Sequence, residues 1–195
     1  MDDAAIPVPL WPDAAPPPDA RLIVIGLPTA PDAPRERTRL QVRRVLREVL
    51  AARLSLRFDN VPLQTTPGRA PRLAAPFAHI GLSFAHEAGL SLLAISFDGA
   101  VGVDLTPLSA VPQDWPGVAR DYFGPAIAER LLRIADDGAV AAFAAEWSAM
   151  EARRKCAGMA LVEWQGNASL PPTSTSPLAL PPGWVGSLAR PFSAA

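Results

Sequence analysis

The sequence predicts an α+β fold, and three observations carry that expectation. Short apolar, β-branched runs at "RLIVIGL" (21–27), "GLSLLAISF" (89–97), "AVGVDL" (100–105) and "WVGSLA" (184–189) read as strands. Within 35–57, Val42, Val45, Leu46, Val49 and Leu50 recur at the i, i+3, i+4, i+7, i+8 spacing of one helical stripe. A second long helix is expected from Ala139 to Trp164, its apolar face opening with Val140, Phe143, Ala144 and Trp147. Each half of the chain therefore holds a long helix and at least one apolar strand. With 195 residues, 49% of them hydrophobic, the chain has enough apolar surface to fill a core.

Taken in order, residues 1–20 are a proline-rich lead to the first strand, and "PTAPDAP" breaks the chain before the first helix. The stretch 61–76, "VPLQTTPGRAPRLAAP", is rich in turn residues. Asp98-Gly99 separates two apolar runs, a pattern that predicts a hairpin, because a tight type I′ turn needs positive φ at both central positions. The strand period of two then puts Gly102, Asp104 and Thr106 on one face and Val101, Val103 and Leu105 on the other. Asp104 is expected to project from a face kept open by Gly102. In "VARDYFGPAIAERLLRIADDG" two short helical pieces flank Gly124-Pro125, and 165–183, rich in Pro, Ser and Thr, reads as a loop before the closing strand.

The formal net charge of -1 provides no global field for nucleic acid or a membrane surface. One cysteine, Cys156, excludes an intrachain disulfide and a cysteine-based zinc site within this chain. The N-terminus is acidic and proline-broken where a signal peptide is basic and then apolar, and no run reaches about 18 apolar residues. A soluble cytoplasmic protein is the expectation. Arginine dominates the basic residues: of 18, a single one, Lys155, is lysine. Eight arginines crowd 35–57 against Glu36 and Glu48, either an ordinary solvated face or an anion-binding surface. Glu151 and Lys155 follow Trp147 at i+4 and i+8, on one side of the second long helix.

Three segments, "SFAHEAG" (83–89), "VGVDLT" (101–106) and "WSAMEARRKCAGMAL" (147–161), together resemble the 4′-phosphopantetheinyl transferase superfamily. That family pairs a Gly-hydrophobic-Asp strand end with a Trp-x-x-Lys-Glu-Ala-x-x-Lys helix, preceded by a Ser-His motif. Gly102-Val103-Asp104 matches the first, Trp147, Glu151, Ala152 and Lys155 the second, and His86 the third, with Ala85 in place of the usual serine and Ser83 in place of the usual asparagine. The resemblance covers roughly residues 68 to 161. The length suits the larger, monomeric, surfactin-synthetase-activating type. There the resemblance implies a pseudodimer of two α/β lobes, here 1–106 and 107–195, each a small mostly antiparallel sheet packed with a long helix, with the active site between them.

What the resemblance implies is transfer of 4′-phosphopantetheine from coenzyme A to a serine of an apo acyl or peptidyl carrier protein, releasing adenosine 3′,5′-bisphosphate. A pyrophosphate bond breaks beside several negative charges, so a hard divalent cation, Mg²⁺ or alternatively Mn²⁺, belongs on oxygen ligands. Asp104 and Glu151 are assigned to that metal. Glu151 and Lys155 are the catalytic candidates, and whether Glu151, Lys155 or a water takes the serine proton is open. His86, Arg69, Lys155 and, within the arginine helix, Arg43 and Arg44 are the candidate coenzyme A contacts. Arg69 follows Gly68 in a Gly-basic-Pro-like element that Ala70 interrupts. No nucleic-acid or membrane partner is implied.

Two departures bear on activity. Many relatives carry a second acid two residues after the strand aspartate, where this chain has Thr106. Met150 stands where the helix motif has lysine, and its neutrality would weaken phosphate or partner contacts. A noncatalytic homologue that binds coenzyme A or carrier protein as a scaffold is thus the alternative to an active enzyme.

Overall fold

The computed structural model describes residues 4–14, 16–66, 70–166 and 171–192. In chain order it runs β1 (Ile6–Pro7), β2 (Leu22–Pro28), α1 (Arg35–Leu54), β3 (Leu63–Gln64), β4 (Arg72–Leu73), β5 (Gly81–Glu87), β6 (Leu90–Ser96) and β7 (Gly102–Pro107). It continues through α2 (Trp115–Phe123), α3 (Pro125–Leu132), α4 (Asp136–Cys156), β8 (Thr173–Ala179) and β9 (Trp184–Pro191). The α+β expectation holds. One sheet is antiparallel in the order β2-β6-β5; a second, β1-β8-β9-β7, is antiparallel except for the β1–β8 pair; β3 and β4 form a separate two-stranded ribbon. Among the described residues no helix is long and apolar enough to cross a membrane.

Side-chain alternation stacks these elements. On one face of the first sheet, Ile23, Ile25 and Leu27 of β2 and Leu93 and Ile95 of β6 pack against Val42, Val45, Leu46, Val49 and Leu50, the whole predicted stripe of α1. From its other face, Val24, Leu92 and Ala94 meet Val103 and Leu105 of β7, Leu178 of β8 and Leu188 of β9. The far face of the second sheet carries α4, and α2 and α3 close over α4 through Phe123, Leu131, Phe143 and Met150. Each buried aliphatic side chain in such a stack contributes about 1.5–3 kcal/mol relative to exposure.

The Asp98-Gly99 hairpin does not form. Both edges of β6 are already paired residue for residue, Leu22–Pro28 on one side and Gly81–Glu87 on the other, so no edge is left for β7. The hairpin in this region joins β5 to β6 across Ala88-Gly89, where Gly89 takes φ 98°. Asp98 instead pairs with Arg21, and the chain crosses to the second sheet, where β7 lies beside β9.

Three other boundaries differ from expectation. Helix α4 ends at Cys156, eight residues short of Trp164, because Gly158 takes the left-handed conformation (φ 66°) and Met159 N–H returns to Arg154 C=O. The Ser/Thr-rich part of the expected loop is strand β8, inserted between β1 and β9. Within the proline-rich lead, Ile6–Pro7 pairs with β8 while Leu10 bridges to Gly26 of β2, so this segment straps the two sheets together.

Gly102 does not leave its face open. It lets α4 lie directly on β7: a methyl at this position would overlap the carbonyl of Ala152 and the amide of Cys156. Gly102→Ala is therefore expected to destabilise the fold by about 3 kcal/mol, at the upper end of overpacking costs, as read by urea denaturation. A loss below about 0.5 kcal/mol would mean that α4 is not seated on β7 in this way.

Candidate active site

Asp104 sits in the middle of β7 on the face that meets α4, and it is only 7% exposed. From α4, one turn apart, come Glu151 and Lys155. The Lys155 ammonium donates to Asp104 Oδ1 at 2.7 Å, to Val103 C=O at 3.2 Å and to Phe84 C=O at 3.4 Å. All three of its N–H groups are thereby committed, two to β7 and one to β5. A few residues away Ser83 Oγ, buried on β5, accepts from Val103 N–H at 3.0 Å. The edge strands of the two sheets thus meet through side chains where no backbone ladder joins them.

His86, one residue before the end of β5, completes the cluster; its Nδ1 lies 3.0 Å from the hydroxyl of buried Ser91. Burial first, then the positive charges of Arg39, Lys155 and Arg43, pull its pKa down to about 4, so the ring is neutral at pH 7. Asp104 moves the other way. Burial raises its carboxyl from 3.8 to about 6, and the neighbouring Glu151 and Glu87 add to the rise against the opposing pull of Lys155. Glu87 is itself raised, by burial, against the pull of Arg35 and Lys155.

These groups border two adjoining cavities. The first, about 390 Å³, is lined by His86, Glu87, Asp104, Thr106, Glu151 and Lys155 on its polar side and by Val111, Val118, Phe143 and Trp147 on its apolar side. The second, about 490 Å³, is lined by Thr29, Arg35, Thr38 and Arg39 from the start of α1 and the loop before it. His86, Glu87 and Lys155 border both. The second cavity carries two arginines, the first carries carboxylates on one side and an apolar wall on the other, and Glu87, His86 and Lys155 stand where they adjoin.

Asp104, Glu151, Lys155 and His86 are therefore brought together. The arginine assignments change. Arg44 turns away and pairs with Glu48 on the outer face of α1, while Arg43 reaches His86 only through its field. Arg35 and Arg39 line the second cavity instead; the signal was the four-residue spacing of Arg35, Arg39 and Arg43 along one helix side. Arg69 and Gly68 lie outside the described residues. Met150 is 7% exposed within the α2–α3–α4 core, so it faces away from the cavity and withdraws no charge from it. Glu87 was the site residue the motif did not single out, although it stands beside His86 in the same segment.

The donor set suits a hard cation. Among the described residues no three His, Cys, Asp or Glu side chains enclose a single point. Asp104 and Glu151 fit Mg²⁺ bound in its usual manner, by one or two carboxylates with water and phosphate oxygens filling the remaining positions. Burial above all, with Glu151 and Glu87 nearby, disfavours the charged form of Asp104, and a bound cation would favour it. No known family model matches the chain, and no curated protein matches it.

The opposite shifts of Asp104 and His86 make a stability prediction. Asp104 titrates higher folded than unfolded, so its contribution is fully present below pH 3.8 and is lost as pH rises through about 6. His86 titrates lower folded, so its contribution is present above 6.5 and lost as pH falls towards 4. The two slopes offset in the wild type. Asp104→Asn, whose amide oxygen keeps the Lys155 bond, is expected to gain about 2–3 kcal/mol over wild type between pH 4 and pH 7.5 without divalent cations. Denaturation curves at the two pH values check this; a variant-minus-wild-type difference that does not change with pH contradicts it.

Proposed function

We propose that the protein is a 4′-phosphopantetheinyl transferase, moving the phosphopantetheine group of coenzyme A to a serine hydroxyl of an apo carrier protein. The observation that carries this reading is the convergence of Asp104, Glu151, Lys155 and His86, from three separate elements, on one cavity whose far side is apolar and which adjoins a second cavity lined by Arg35 and Arg39. Coenzyme A has the matching polarity: a polyanionic nucleotide on one side of the scissile phosphorus and a neutral arm on the other.

In this reading Arg35 and Arg39 hold the phosphates of the nucleotide. Neutral His86, its Nδ1 turned to Ser91, has Nε2 left to donate to a phosphate oxygen. Asp104 and Glu151 would hold Mg²⁺, which when bound would neutralise phosphate oxygens and favour in-line attack. The serine oxygen forms a bond to the phosphorus next to the arm, the bond to the bridging oxygen breaks, and adenosine 3′,5′-bisphosphate leaves. An ammonium that donates three hydrogen bonds has no lone pair, so the serine proton goes to a carboxylate, and Glu151 is the nearest candidate on α4. Lys155 holds Asp104 and the phosphates' surroundings in place.

One observation favours the noncatalytic alternative: Lys155 already pairs with Asp104 at the position a metal would take, and Thr106 adds no charge for a metal. Incubation with coenzyme A, Mg²⁺ and a panel of apo carrier proteins, read by intact carrier mass, separates the two. A gain of one phosphopantetheine is expected, and Asp104→Asn and Glu151→Gln are each expected to slow it by about a hundredfold or more with the fold intact. Binding of coenzyme A and carrier with no mass gain would leave the scaffold reading; full activity in either variant would contradict the assigned site.

A further inference from the structure

Among the described residues the carboxylates bordering the first cavity are Asp104, Glu151 and Glu87, and the chemistry above uses only the first two. Glu87 is the last residue of β5, where strand alternation puts it on the side of Ser83 and Ala85, the side that meets the second sheet. Across the hairpin it pairs with Leu90, and the turn beyond it is tied down where Thr29 N–H donates to Gly89 C=O at 3.0 Å. Its backbone is thereby held, while the residue itself is exposed and borders both cavities. Among the described residues its carboxylate takes part in no hydrogen bond or ion pair. The groups that face it are His86 beside it on β5, Asp104 of β7, Glu151 and Lys155 of α4 and Arg35 of α1.

Every other group that could take the serine proton is engaged. The Lys155 ammonium donates all three of its hydrogens, one of them to Asp104. On His86, Nδ1 faces Ser91, and a pKa pulled down to about 4 makes the ring a weak base. Glu151 is the candidate on α4, but a carboxylate that ligates a divalent cation is a poor base, because the cation favours its charged form. No third His, Cys, Asp or Glu among the described residues joins Asp104 and Glu151 around one point, so an ion on that pair leaves Glu87 free. We propose that Glu87 is the catalytic residue that takes the proton of the attacking serine hydroxyl. The inference rests on the transferase reading and adds to it a group outside the motif. As the serine oxygen bonds to the phosphorus next to the arm, its proton passes to a Glu87 carboxylate oxygen. The bond from that phosphorus to the bridging oxygen breaks, and its electron pair leaves with adenosine 3′,5′-bisphosphate. Glu87, exposed at the rim, then returns the proton to water. Burial raises its carboxyl above the ordinary glutamate value, which makes it a better base than a fully solvated glutamate.

Transfer kinetics by intact carrier mass, together with Mn²⁺ binding followed by electron paramagnetic resonance in the presence of coenzyme A, test this on the wild type, Glu87→Gln and Glu87→Asp. Glu87→Gln is expected to lower kcat by about a hundredfold or more, with KM for coenzyme A and Mn²⁺ affinity within about twofold of the wild type. Glu87→Asp, which keeps a carboxylate, is expected to recover about tenfold over Glu87→Gln. A kcat within about threefold of the wild type in Glu87→Gln overturns the assignment, as does a Glu87→Asp no faster than Glu87→Gln. A fall in Mn²⁺ affinity that matches the fall in kcat overturns it in favour of a third metal ligand. A wild type that binds coenzyme A and transfers nothing to any carrier overturns the transferase reading and this role with it, an outcome distinct from an active Glu87→Gln.

Discussion

The ammonium of Lys155 is the point on which the arrangement depends. It joins β5, through Phe84 C=O, to β7, through Val103 C=O, and holds the Asp104 carboxylate at 2.7 Å. Two sheet edges that meet without a ladder leave polar backbone groups exposed to an apolar interior, and such groups must find partners. Here Lys155 and Ser83 supply them. An arginine is a poor substitute because its planar fork cannot direct three donors from one nitrogen onto three separate acceptors. That geometry gives a physical reason for one lysine among 18 basic residues.

The same contact explains why the site carries strong opposing electrostatic tendencies. Asp104 is buried where its charge is unwelcome and is only partly compensated by Lys155, while His86, close to three cations, is held neutral. Separating a group of carboxylates from a group of arginines by one strand end creates a gradient along the two adjoining cavities. Such a gradient would orient the ligand proposed for it, with a polyanionic end towards the arginines. Gly102 makes this possible from below: without a side chain there, α4 approaches β7 closely enough for Lys155 to reach across.

Much of this was legible in the sequence, and the remainder was not for identifiable reasons. The α1 stripe, the two short helices around Gly124-Pro125 and the strands at 22–28 and 184–191 follow from periodicity and punctuation that local physics enforces. The Asp98-Gly99 hairpin failed because pairing is decided by which edges of β6 are free, a property of the whole sheet. Strand β8 lacked an apolar alternation because only Leu178 within it is buried. At the site, Asp104, Glu151, Lys155 and His86 were readable from motif spacing. The choice of Arg35 and Arg39 over Arg44 depended on which side of α1 faces β5, and the fate of Met150 on which side of α4 faces α2 and α3.

Phosphorus NMR decides whether Asp104 and Glu151 hold a divalent ion against the diphosphate of coenzyme A, as proposed. With substoichiometric Mn²⁺ replacing Mg²⁺ in the presence of the protein, the two diphosphate resonances are expected to broaden strongly and the 3′-phosphate, which the proposal assigns to the arginine side, much less. In Glu151→Gln that selectivity is expected to be lost. Broadening of all three phosphates alike, or the same pattern with and without the protein, would contradict the account.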